Sequence, residues 1–148
     1  MAFRFSLDML LRLRVSLERK EELNLQRINA ALVQAHQDLA QLRQERQAAW
    51  GEAQLRLRDS APAAELHFEL ARDQAAQQRA EWLQQRIAQL EAARQEQQRV
   101  YRKARQDREI LENLRDRKRE KYDMDLSRSE QQNIDDLQLM LRASRELE

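Results

Sequence analysis

The sequence predicts an all-α protein: two long helices in an antiparallel coiled-coil hairpin, the C-terminal helix being the longer. Three observations carry that expectation. Gly51 and Pro62 are the only glycine and the only proline in 148 residues. Ala, Leu, Glu, Gln and Arg, all good helix formers, dominate the rest. Apolar residues recur at steps of three and four on both sides of Pro62, the spacing of a coiled-coil seam. The expected layout is one domain over residues 1–148, with a first helix from about 5 to about 57, a turn at about 58–62 and a second helix from about 63 to about 142.

The bulk properties agree. Charged residues make up 36% of the chain and aromatics 5%, and the mean hydropathy is −0.96. That is a poor recipe for a globular core and the usual one for long helices. High charge with few aromatics also fits disorder, but the regular apolar spacing argues against it. The net charge of +1 names no partner. Its distribution says more: eleven bases face six acids from Arg94 to Lys121, and seven acids face three bases from Asp123 to Glu148. With no cysteine there is no disulfide, thiolate nucleophile or thiolate metal site. Arg4, Asp8, Arg12 and Arg14 interrupt the apolar start, so no signal peptide is expected. No run approaches the ~20 apolar residues needed to span a bilayer. The expectation is a cytoplasmic chain without direct membrane insertion.

The first seam reads Leu10, Leu13, Leu17, Leu25, Ile28, Leu32, Ala35, Leu39, Leu42 and Ala49. Two steps of four around Glu21 imply a stutter, which locally unwinds a supercoil. Gly51 is expected to loosen the end of this helix. At Asp59-Ser60-Ala61-Pro62 the chain breaks, because proline lacks an N–H and its ring clashes with the preceding turn. The first helical position suits it. The second seam reads Leu66, Leu70, Ala76, Ala80, Leu83, Ile87, Leu90, Tyr101, Ala104, Leu111 and Leu114, weakening between Arg94 and Gln98. Folding the chain at Pro62 sets Leu32 beside Leu90, Ala35 beside Ile87, Leu39 beside Leu83 and Leu42 beside Ala80.

The arms are unequal. At ~1.5 Å per residue the first is about 75 Å long and the second about 120 Å. The second helix therefore outruns the first, yet it still carries Tyr122, Leu126, Ile134, Leu137 and Leu141 at helical spacing. A partner surface explains such a stripe.

Catalysis is not expected. There is no glycine-rich phosphate loop, and His36 and His67 fall on opposite sides of the break, too far apart to share a metal. A narrow two-helix coil offers no concave pocket in which to shift a carboxylate pKa. The basic run from Arg99 to Lys121 is interleaved with Asp107, Glu109, Glu112, Asp116 and Glu120 at i,i+4 spacing. That pattern suits a solvated face or an acidic protein partner better than nucleic acid. Trp50, Leu55, Leu57, Leu66 and Phe68 gather near the break, either plugging the hairpin end or forming an exposed tip for a partner. Phe3, Phe5 and Leu7 either staple the first helix or join a partner surface.

Three stretches together resemble the FliJ family of the bacterial flagellar type III export apparatus. They are the opening Phe3-Arg4-Phe5-Ser6-Leu7 with Leu10-Leu11-Arg12-Leu13-Arg14, the segment Leu111-Glu112-Asn113-Leu114-Arg115-Asp116-Arg117, and Tyr122 followed by Glu130-Gln131-Gln132-Asn133-Ile134-Asp135-Asp136-Leu137. The resemblance implies a non-enzymatic stalk without cofactor, a monomer on its own. The open end of its hairpin would insert into the hexameric ring of the export ATPase FliI. It would also engage the export gate protein FlhA and free export chaperones, lying at the inner membrane only through the apparatus. On that resemblance Leu111, Leu114, Arg117, Tyr122, Glu130, Ile134, Asp135 and Leu137 would carry the ATPase contact, and Trp50 and Phe68 the gate or chaperone contact. The alternatives are an injectisome stalk, which the Phe-x-Phe-x-Leu opening disfavours, and a structural coiled coil that self-associates through the overhang.

Overall fold

The computed structural model describes residues 2–59 and 62–146. These residues form two helices, α1 (Asp8–Arg58) and α2 (Ala63–Glu146), with no strand among them. The fold is an all-α hairpin. Helix α1 begins at Asp8 rather than near residue 5, and α2 continues to Glu146 rather than stopping near 142. Asp8 opens the first turn and ion-pairs with Arg12 at 3.0 Å, placing a carboxylate at the positive end of the helix dipole. Arg56 and Arg58 close the last turn of α1, and Glu65 stands in the first turn of α2, so both ends at the break suit their dipoles. The Glu65 N–H donates to the Pro62 carbonyl at 3.0 Å, which starts α2 directly after the proline. Ser60 and Ala61 of the expected turn lie outside the described residues.

Contacts divide the chain into two units, one joining Met1–Glu18 with Lys103–Glu148 and the other comprising Arg19–Arg102. In Arg19–Arg102 an apolar cluster of Leu32, Ala35, Leu39, Ala80, Leu83, Ile87 and Leu90 is buried, flanked by Ile28, Ala31 and Leu42. These are the facing layers that a fold about Pro62 predicts. Toward the break the facing pairs turn polar. Arg46 grips Asp73 with two parallel bonds, Nε to Oδ1 at 2.5 Å and Nη2 to Oδ2 at 3.0 Å. Arg56 meets Glu69 at 3.3 Å. At the other end of this unit the Gln97 amide donates to the Glu21 carboxylate at 2.6 Å and to its carbonyl at 3.1 Å.

In the unit that contains both termini, Leu11 is buried, Arg14 bonds Asp107 at 3.1 Å, and Arg108 bridges Glu18 and Glu112. The segment before α1 lies against α2: the rings of Phe3 and Tyr122 stand 5.7 Å apart, and the Lys118 ammonium sits 5.8 Å from the Phe5 ring centre. Phe3 and Phe5 therefore pack on the second helix.

The seam differs from the expected one at both ends. In Arg19–Arg102 the buried and half-buried positions of α1 include Glu21, Leu25, Ile28, Leu32, Ala35, Leu39, Leu42, Arg46, Ala49 and Ala53, and in the unit with both termini they include Leu11, Arg14, Leu17 and Glu18. Leu10 and Leu13 are solvent-exposed, as are Leu66 and Leu70, where the seam runs instead through Glu69 and Asp73. The reason is electrostatic. Each charge there has a partner of opposite charge across from it, in Arg46–Asp73, Arg56–Glu69, Arg14–Asp107 and Glu18–Arg108, which offsets the desolvation it would otherwise meet.

Candidate functional site

Chemistry-bearing clusters are few. Among the described residues no group of three or more His, Cys, Asp or Glu side chains is placed to hold a metal ion. No helix among them is long and apolar enough to cross a membrane. A shallow cleft of about 120 Å³ lies between the helices near the break, lined by Leu42, Arg46, Ala49, Trp50, Asp73 and Ala76 among others.

In that cleft Asp73 accepts three hydrogen bonds, two from Arg46 and one from the Trp50 indole N–H at 2.8 Å. Arg46 also reaches the Gln77 amide oxygen at 2.6 Å. The hydrogen bonds from Arg46 and then Trp50 hold the Asp73 carboxyl below its ordinary value of 3.8, and the same bond raises the Arg46 guanidinium. Because the folded pKa is depressed, the contact contributes fully above the ordinary carboxylate value and is lost as pH falls through the lower folded one. In a Trp82→Phe background, Trp50 emission should therefore shift in acid, below pH 3.8. Asp73→Asn should shift it already at neutral pH and remove the acid step. An acid step unchanged by Asp73→Asn would mean that Asp73 does not hold Trp50.

Phe68 stands apart from this network. It is exposed and lines a separate cleft with Ala53, Leu57 and Ala64, so the structure does not bring Trp50 and Phe68 into one cleft. Sequence reasoning passed over Trp82, half-exposed on α2 with the Arg79 guanidinium 4.4 Å above its ring. The legible signal was an arginine one helical turn ahead of an aromatic.

The eight residues marked along the second helix separate into two groups. Leu111 and Tyr122 are half-buried where α2 meets the N-terminal part of the chain, and Leu114 and Arg117 beside them are exposed. Ile110, 65% exposed, is the apolar residue of this stretch that the sequence reading omitted. Glu130, Ile134, Asp135 and Leu137 lie farther along, where every described residue from 123 to 146 is exposed. Ile134 and Leu137 share a helix face with Leu126 and Leu141, whereas Asp135, two residues before Leu137, projects from the other side and accepts from Gln131 at 3.0 Å.

The family model described as Flagellar FliJ protein matches residues 3–147. This chain belongs to the FliJ family. No curated protein and no solved structure gives a match. Membership makes the chain a component of the flagellar protein export apparatus, a family of structural parts not known as enzymes. The FliJ match takes in both helices and the segment ahead of α1, so Phe3, Phe5 and Tyr122 belong to the matched region along with the extension of α2.

Proposed function

We propose that this FliJ-family chain is the stalk of the flagellar export ATPase. The end that carries both termini enters the hexameric FliI ring, and the end at the break engages the gate protein FlhA and export chaperones. It acts at the inner membrane through those partners, as a single copy. The observation that supports this reading most is the extension of α2. Leu126, Ile134, Leu137 and Leu141 are between 45% and 61% exposed on one helix face. An isolated solvated helix gains nothing from such a face, and apolar area of this kind is what a protein partner buries. The basic neighbours Arg115, Arg117, Lys118, Arg119 and Lys121 supply charge for acidic loops of the ring. The exposed Phe68 supplies an aromatic anchor at the other end.

The test is retention of partners from a flagellated host lysate. The full chain should hold the export ATPase, and a chain truncated before Asp123 should lose it. Retention by the truncated chain would remove the extension from the ATPase contact. For point substitutions Ile110 and Leu114 are better targets than Leu111, because they are exposed and Leu111 is half-buried. Ile110→Asp with Leu114→Asp should abolish stimulation of the ATPase while leaving helix content intact. Sedimentation separates this from self-association: the free chain should run as a monomer at low micromolar concentration.

A further inference from the structure

The extension of α2 carries two carboxylates in an unexpected place. Leu126, Ile134, Leu137 and Leu141 recur at helical spacing and define one face. Asp123 and Glu130 fall on that same face. Glu130 lies four residues from both Leu126 and Ile134, and Asp123 lies three residues before Leu126. The two acids are seven residues apart, so they project in the same direction two turns from one another. Both are exposed.

Any helix laid on this face to bury the four apolar side chains also covers Asp123 and Glu130. A carboxylate taken out of water without a partner costs several kcal/mol, enough to cancel the burial of two leucines. The occupant must therefore bring cations to those two points. A second copy of this chain does so poorly. Paired in parallel it sets Glu130 against Glu130, and paired antiparallel about the centre of the stripe it sets Glu130 against Leu137 and Asp123 against Ser144. The segment from Asp123 to Glu148 holds seven acids and three bases, so two copies also repel overall.

We infer that this face docks an amphipathic helix of a protein partner, one presenting an apolar stripe and two Lys or Arg side chains one heptad apart. The inference rests on the reading of the extension as a protein-docking surface and adds the chemistry of what it accepts. Asp123 and Glu130 set the choice and register of the partner helix. Leu126, Ile134, Leu137 and Leu141 supply most of the attraction.

The test uses the full chain and two synthetic helical peptides with the same leucine stripe. One carries Lys at two positions seven apart, the other Glu at those positions, and binding is followed by fluorescence anisotropy. The chain should bind the Lys peptide at least about tenfold tighter than the Glu peptide. Asp123→Lys with Glu130→Lys should reverse the preference, and Ile134→Asn with Leu137→Asn should abolish binding of both. All four positions are exposed, so each variant should keep the helix content of the parent. If the Asn variants lose binding but the Lys variants leave the preference unchanged, the face docks helices and the charge rule is wrong. If neither peptide binds, or the Asn variants bind as the parent does, the docking reading fails with it. A homodimer that depends on Ile134 and Leu137 would make a second copy the occupant and overturn the inference.

Discussion

Leu11→Ala is expected to destabilise the hairpin by about 3 kcal/mol, and Leu83→Ala by a similar amount, because truncating a buried leucine forfeits its transfer energy and leaves a cavity. Both are among the best-buried side chains in the chain, at 4% and 3% exposure. Leu13→Ala, two residues from Leu11 but 53% exposed, should cost less than about 0.5 kcal/mol. The three values come from urea melts followed by circular dichroism. The comparison tests the phase of the seam directly. A seam through Leu10 and Leu13 makes Leu13→Ala the expensive change, whereas the observed seam makes it nearly neutral. Equal costs at Leu11 and Leu13 would contradict the placement of α1 against α2.

Arg108→Ala should also destabilise, by about 2 kcal/mol, for a different reason. Arg108 bonds both Glu18 and Glu112, and its side chain and that of Glu18 are only 19% and 15% exposed. Hydrogen bonding to Glu18 raises the pKa of the guanidinium, so the cation persists throughout the stable range. Truncating it leaves the Glu18 carboxylate half-buried and unpaired, and that residual charge dominates the cost. Replacing Glu18 as well removes the more buried carboxylate: Glu18→Leu with Arg108→Leu should recover most of the loss, leaving only the more exposed Glu112 without its arginine. A double variant less stable than Arg108→Ala alone would show that the pair contributes more than its own desolvation costs. The pair would then be a source of stability in its own right.

The fold was readable because its central features are local and chemical. One proline in a helix-forming chain locates the break, and the apolar layers from Ile28 to Leu42 and from Ala80 to Leu90 announce their facing partners by spacing. The ends of the seam were not readable in the same way. At Arg14, Glu18, Asp73 and Glu69 the seam position is held by a charge, while Leu10, Leu13, Leu66 and Leu70 beside it are exposed. Counting apolar residues selects the leucine at each of these points. Only knowledge of the opposite helix reveals that the charge has a partner. The same limit applies to the candidate site. The apolar extension was visible from the unequal arms, whereas the docking of Phe3 on Tyr122 and of Trp50 on Asp73 depends on pairs far apart in sequence.

The ion pairs also differ in what they ask of the unfolded chain. Arg56 and Glu69 are 13 residues apart and Arg46 and Asp73 are 27, whereas Glu18 and Arg108 are separated by 90 and Arg14 and Asp107 by 93. Chain closure grows more costly with the logarithm of that separation. Pairs near Pro62 therefore close at the least entropic cost, and each one formed shortens the loop that the next must close. On closure entropy alone, a hairpin nucleated beside Pro62 meets the least cost, and Glu18–Arg108 and Arg14–Asp107 gain most from contacts already closed.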